Sequence, residues 1–93
     1  MLYANIDGMR KLRFNIILHA ELEGGFTVSV PALPGCITYG KTLAEAQLMA
    51  TDAIGAYVAS LRKHREFVPS DERSFIGSVE LGELKGRRVV AYA

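Results

Sequence analysis

The sequence predicts one α+β domain in which an antiparallel sheet carries a single amphipathic helix on one face, in the order β-β-β-α-β. Three observations predict this class. Residues 13–22 alternate between apolar and polar, a Gly-Gly pair separates them from a second alternating stretch, and a helical apolar repeat follows Thr42. Strands joined by short turns pair antiparallel, and one helix covers one face of such a sheet. The other face is left to solvent or to a partner.

The first two strands form a predicted hairpin. Ile17 is the one apolar residue on the polar parity of the first strand. Gly24 and Gly25 supply the positive φ angles of a tight turn, and the returning strand runs from Phe26 to Val30. The apolar parity of the first strand, which predicts its buried face, consists of Phe14, Ile16, Leu18, Ala20 and Leu22.

The third strand is predicted at Cys36–Tyr39 and is closed by Gly40. Pro31 and Pro34 lack the N–H group that a sheet requires, so strand pairing must break between the second and third strands.

The helix after Gly40 is the clearest predicted element. Thr42 is a good N-cap, and Glu45 three residues later completes a capping box that satisfies two amide donors. Gly55 inside the helix predicts a close approach to the sheet. The apolar stripe repeats at three and four residues and consists of Ala46, Met49, Ala50, Ala53, Ile54, Tyr57, Val58 and Leu61.

A loop at residues 68–72 leads to a predicted fourth strand at Phe75–Leu81. The tail Arg87–Tyr92 has the composition of a further strand, whose place the pattern leaves open. We expect residues 1–93 to form a single domain with its core at about 12–82, short extensions at both ends and no separate DNA-binding domain.

Composition excludes several classes of protein. The chain has a net charge of only +1, whereas a nucleic-acid-binding domain is usually strongly positive. Cys36 is the single cysteine, so no internal disulfide indicates an oxidising compartment. The N-terminal residues lack the order of a signal peptide, and no apolar run reaches the length of a membrane span. A cytoplasmic protein that does not contact a membrane is expected.

No catalytic, cofactor or metal site is predicted. Cys36, His19 and His64 lie on different predicted elements, which does not suit a nucleophile and its base. The same scatter excludes a zinc site. Glu21 and Asp52 are the carboxylates that a residual metal-dependent nuclease would need, and that alternative stays open.

One stretch resembles the HicB antitoxin family. The matching pieces are Glu21-x-Glu23-Gly24-Gly25-Phe26 and Val30-Pro31-x-Leu33-Pro34-Gly35-Cys36-x-Thr38-x-Gly40-x-Thr42-x-x-Glu45-Ala46. The resemblance continues weakly to Val68-Pro69 and covers about two thirds of the chain. The motif residues have structural roles in our interpretation, as turn formers, strand ends and helix cap.

The resemblance implies a partial ribonuclease-H-like fold without the nuclease active site. It also implies a homodimer or larger assembly that binds and neutralises HicA, a small toxin that cleaves messenger RNA. An edge strand or the Arg87–Tyr92 tail could pair across the two-fold axis.

We expect acidic groups at the toxin interface, because a protein that grips RNA is basic. The candidates are Glu21, Glu23, Asp71 and Glu72. The alternative function is that of a solitary dimeric regulatory module without a toxin. We expect no autonomous DNA binding under either hypothesis.

Overall fold

The computed structural model describes residues 11–82. These residues form three strands and a helix: β1 (Ile17–Ala20), β2 (Phe26–Ser29), β3 (Ile37–Gly40) and α1 (Leu43–Lys63). The strands make one antiparallel sheet in the order β1-β2-β3. The predicted α+β class is therefore confirmed. The predicted strand at Arg87–Tyr92 and the N-terminal extension lie outside the described residues.

β1 is shorter than the ten residues that alternate in the sequence. Its partner β2 ends at Ser29, because the chain turns away at Pro31. Residues 13–15 therefore lie beyond the end of β2. They bond instead to the segment after the helix, where the Asp71 amide donates to the Arg13 carbonyl at 2.6 Å.

The two turns of the sheet follow the sequence signals. Gly24 and Gly25 have φ angles of 105° and 82°, which confirms the predicted left-handed hairpin turn. The β2–β3 connection is closed by a hydrogen bond from the Val30 amide to the Cys36 carbonyl, at 3.1 Å. Inside it, Leu33 points into the core and is only 1% exposed. The loop containing both prolines is therefore part of the folded core and not a loose connection.

The helix begins at the predicted cap. Thr42 Oγ1 accepts a hydrogen bond from the Glu45 amide at 3.0 Å. The Glu45 carboxylate in turn accepts from the amide of Lys41, one residue before the position that a capping box uses. Two amide donors are satisfied, as expected. Arg62 and Lys63 lie in the last turn, at the negative end of the helix dipole.

The core lies between α1 and the even-numbered residues of β1 and β2. One cluster is Val28, Ala46 and Ala50, and a second is Val30, Leu33 and Cys36. Phe14, Ile16 and Leu18 pack against these clusters from the first strand. A fully buried valine or leucine contributes about 1.5–3 kcal/mol, so this one interface supplies most of the apolar stabilisation.

The predicted helical stripe is largely confirmed. Ala46, Ala50 and Val58 are buried, and four further members are half-buried. Met49 is 40% exposed and lies at the margin of the stripe, so its inclusion was wrong. Gly55 is exposed and an added Cβ would meet nothing within 4 Å, so its predicted close approach to the sheet was also wrong.

The predicted strand at Phe75–Leu81 does not form a strand with any part of the chain that the structure describes. The segment has the apolar alternation of a strand, but strand structure requires a neighbouring backbone, and none of the described strands lies beside it. Its residues are exposed.

No helix among residues 11–82 has the length and hydropathy needed to span a membrane.

The sheet and the helix approach each other closely at Gly40. A Cβ built on Gly40 would lie 2.3 Å from the backbone nitrogen of Ala46. Gly40→Ala should lower the free energy of unfolding by about 1–3 kcal/mol through overpacking. Gly55→Ala is the matched control and should raise it by about 1 kcal/mol, because alanine is the better helix former. Urea denaturation measures both, and a neutral Gly40→Ala would contradict the described contact.

The cap of the helix gives a second test. Thr42→Ala should cost about 0.5–2 kcal/mol, because the Glu45 amide loses its acceptor. Thr51 makes the control, since its hydroxyl bonds the Gln47 carbonyl within the helix, where alanine is preferred. Thermal melting of Thr42→Ala and Thr51→Ala should show a loss only in the first. Loss of partner binding at an unchanged melting temperature would instead make Thr42 a contact residue.

Candidate partner-binding surface

The sheet has one face that the helix does not cover. The pairing register places two rows of side chains on it, Ile17–Ser29–Ile37 and His19–Thr27–Tyr39. These are the odd-numbered residues of all three strands, while Leu18, Phe26 and Val28 of β1 and β2 pack toward α1. We call the six residues of these two rows the open face.

The open face is more apolar than a solvated sheet surface. Ile37 is 64% exposed, Tyr39 47% and Ile17 46%. Grouped apolar side chains of this size on a small domain indicate a contact surface. The signal was present in the sequence, since Ile17 breaks the polar parity of the first strand and Ile37 and Tyr39 share one parity of the third.

Hydrogen bonds fix the hairpin end of the open face. Thr27 Oγ1 donates to the Glu21 carboxylate at 2.6 Å. Tyr39 Oη donates to the Gly24 carbonyl at 3.0 Å, and its ring lies so close to Gly25 that no side chain would fit there. Glu21 and Tyr39 are thereby held in one orientation before any partner arrives. Such preorganisation lowers the entropy cost of binding.

The four predicted acidic contacts divide into two pairs. Glu21 and Glu23 lie at the hairpin end of β1. Asp71 lies at the opposite end, where its carboxylate accepts the Asn15 amide at 3.0 Å, and exposed Glu72 follows it. Six residues of extended chain separate Asn15 from Glu21, or roughly 20 Å. The structure therefore brings together each pair but not all four.

The remaining motif residues build the scaffold of this surface. Gly35 has a φ of 80° in the β2–β3 connection, and Pro34 in the same turn accepts a hydrogen bond from Tyr57 Oη at 2.8 Å. This bond ties the connection to α1. Phe26 is the first residue of β2 and packs on the core, and Pro31 lies exposed two residues after the end of β2.

The nucleophile and base candidates lie apart. Cys36 is buried beneath the helix, and burial raises the pKa of its thiol. His19 lies on the open face, on the other side of the sheet. The ring of His64 contacts the Ser60 carbonyl at 2.8 Å at the end of α1. Cys36 is thus placed as a core residue.

The carboxylates of the nuclease alternative are also separated. Glu21 follows β1 on the odd parity, and Asp52 is exposed on the helix that covers the opposite face. Within residues 11–82, no three His, Cys, Asp or Glu residues are grouped as a metal would require.

Comparison with known proteins assigns the family. Residues 14–83 match the family model described as the HicB-like antitoxin of bacterial toxin–antitoxin systems. The matched region contains every described strand and the helix. The chain belongs to the HicB-like antitoxin family. This membership gives it a role in a toxin–antitoxin system and indicates that the role is not enzymatic.

Several proteins similar to this chain are UPF0150 proteins. One from Thermoplasma acidophilum is 45% identical over 60 residues, which cover 64% of this chain and 87% of that protein. One from Archaeoglobus fulgidus is 34% identical over 74 residues, covering 80% of this chain and 97% of the relative. A third, from Synechocystis, is 36% identical over 59 residues, covering 63% and 75%.

The burial of Cys36 predicts slow thiol chemistry. A thiol that is inaccessible and has a raised pKa holds little thiolate at pH 8, and the thiolate is the reacting form. Native protein should react with Ellman's reagent roughly tenfold or more slowly than free cysteine. Protein unfolded in guanidinium, as the control, should react at the rate of free cysteine. Equal native and unfolded rates would place Cys36 at the surface instead.

Proposed function

We propose that this HicB-like antitoxin binds a HicA-like, messenger-RNA-cleaving toxin through the open face and neutralises it by covering its catalytic surface. The observation that supports this proposal is the cluster of exposed apolar side chains on the uncovered side of the sheet, Ile17, Ile37 and Tyr39. Apolar and aromatic residues at the centre of an interface supply most of its binding energy.

Charge supports the same partner. Glu21 is held at the edge of the open face by Thr27, and exposed Glu23 lies beside it in the hairpin. A toxin that grips RNA is basic, so these carboxylates complement it and speed association. Asp71 and Glu72 lie at the far end of β1, where they would meet a second part of the toxin surface. The chain itself, at a net charge of +1, is proposed to bind this protein partner rather than promoter DNA.

The proposed location is the cytoplasm, where the messenger RNA substrate of the toxin is found. A homodimer is proposed as the working unit. The second candidate function, a solitary dimeric regulatory module, shares the open face but lacks a toxin partner. Co-expression with a HicA-like toxin, or with any small basic protein encoded beside this gene, distinguishes the two functions. A stable complex that suppresses messenger-RNA cleavage supports the antitoxin, and no complex supports the solitary module.

A matched pair of variants tests the open face. Ile37 is 64% exposed on β3 and Leu48 is 68% exposed on the outer side of α1, so both can change without disturbing the core. Ile37→Glu should weaken toxin binding by about tenfold or more, or about 1.4 kcal/mol, because it buries a charge in an apolar interface. Leu48→Glu should bind as the unaltered protein does.

The readouts are titration calorimetry and protection of messenger RNA in a cleavage assay. Both variants should keep the unaltered melting temperature. If Leu48→Glu abolishes binding and Ile37→Glu does not, the toxin docks on the helix and the proposed surface is wrong.

A further inference from the structure

Residues 75–82 have the alternating sequence of a strand but form no strand within the described chain, and we call them the arm. Phe75 is 73% exposed, Val79 89% and Leu81 77%. These three share one parity with Gly77, and the other parity includes Ser78 and Glu80. This is the alternation of a strand that buries one side. Within the described chain Arg13 contacts the Phe75 ring, but Val79 and Leu81 stay exposed, which is unfavourable for a free domain.

The base of the arm, residues 70–74, is anchored to the start of the first strand. The Asp71 amide donates to the Arg13 carbonyl, and the Ser74 carbonyl accepts from the Asn15 side chain at 3.0 Å. The Arg13 guanidinium lies 4.8 Å from the centre of the Phe75 ring. The arm therefore leaves the domain from a defined point.

The base lies on one side of the first strand. The Glu21 amide donates to the Gly25 carbonyl at 3.0 Å, so odd-numbered residues of the first strand direct their backbone groups toward β2. Arg13 and Asn15 share that parity. The base therefore lies on the same side of the first strand as β2, beyond the end of β2.

Within residues 11–82, no strand lies along the opposite edge of β1, which we call the open edge. Even-numbered residues such as Ile16 and Leu18 direct their N–H and C=O groups there, and none of the described strands pairs with them. An apolar groove of about 500 Å³ runs beside this edge, between the first strand and the helix. Its apolar lining includes Leu12, Phe14, Ile16, Ala50, Ile54 and Val58.

We propose that the arm of a second copy of this chain pairs with the open edge of β1 as a fourth strand. Val79 and Leu81 fill the groove, and Ser78 and Glu80 lie on the open face side. Addition of a strand to an exposed edge is a common mode of association, because backbone bonds and apolar pockets act together.

The occupant is a second copy because one chain carries both halves of the contact. Its own arm starts on the β2 side of the first strand and would have to cross that strand to reach the open edge. In a two-fold dimer that exchanges arms, each arm pairs with the open edge of the other chain, so both arms and both edges have partners. The exchange supplies the fourth strand that the sequence predicts and that residues 11–82 of the single chain do not form. It concerns the chain alone and does not depend on the toxin.

Sedimentation equilibrium of the full chain without any toxin tests the exchange. Val79→Asp should raise the dimer dissociation constant about tenfold or more, because it puts a charge into the groove. Ser78→Asp, on the neighbouring residue of opposite parity, should leave the dissociation constant unchanged. Val79 is 89% exposed in the single chain, so its substitution should not alter the circular dichroism spectrum or the melting of the monomer.

Cross-linking identifies whose arm is bound. One population carries Ser78→Cys and a second, with a different affinity tag, carries His19→Cys. A short bismaleimide should join the two tags in one product, and unsubstituted protein serves as the control for reaction at buried Cys36. A monomer at all concentrations, an undiminished Val79→Asp dimer, or the absence of a cross-linked product that carries both tags would each overturn the exchange.

Discussion

The contact between the end of β3 and the first turn of α1 determines the architecture. Gly40 has no side chain, and the backbone of Ala46 occupies the space where a Cβ would be. The helix axis therefore approaches the sheet at its very start, two residues after the last strand. From there the stripe of small and branched residues can follow β2 and the β2–β3 connection. One short contact thus decides which face of the sheet is covered.

The uncovered face follows from the same contact. One helix can bury only one side of a three-stranded sheet, so within residues 11–82 the other side has to be polar or has to bind something. Here it is neither uniformly polar nor large enough to be a core. The hydrogen bonds of Glu21 and Tyr39 hold its hairpin end rigid, and the apolar residues lie beside them. Rigidity and exposed apolar area together are the properties of a recognition surface.

Local signals in the sequence were sufficient for most of the fold. The Gly24-Gly25 turn and the Thr42 cap each depend on neighbours a few residues away, and both predictions were confirmed. The predicted buried parity of the first strand was correct for Phe14, Ile16 and Leu18 but wrong for Ala20 and Leu22, which are exposed at the hairpin end. Met49 and Gly55 were misplaced because the width of a buried helix stripe depends on the number of strands beneath it. The strand at Phe75–Leu81 was predicted from an alternation that is present, but its pairing depends on a backbone far away in sequence or in another molecule.

The role and surroundings of the acidic candidates could be predicted only in part from the sequence. Composition indicates that carboxylates suit a basic partner, but spacing along the chain does not show that Asp71 bonds Asn15 or that Glu21 bonds Thr27. Ile37 and Tyr39 were missed as surface residues, because a short apolar strand is more often buried on both sides.

The parity of the strands separates two kinds of substitution. Even-numbered positions such as Leu18, Phe26 and Val28 are limited by volume and shape, since they pack in the core beneath the helix. Odd-numbered positions face outward and tolerate changes of size and charge at little expense to folding. A domain built this way can acquire a new binding preference through a few outward substitutions while its interior stays the same. Binding and folding thus depend on alternate residues of the same strands. The binding surface can therefore change in sequence while the core stays the same.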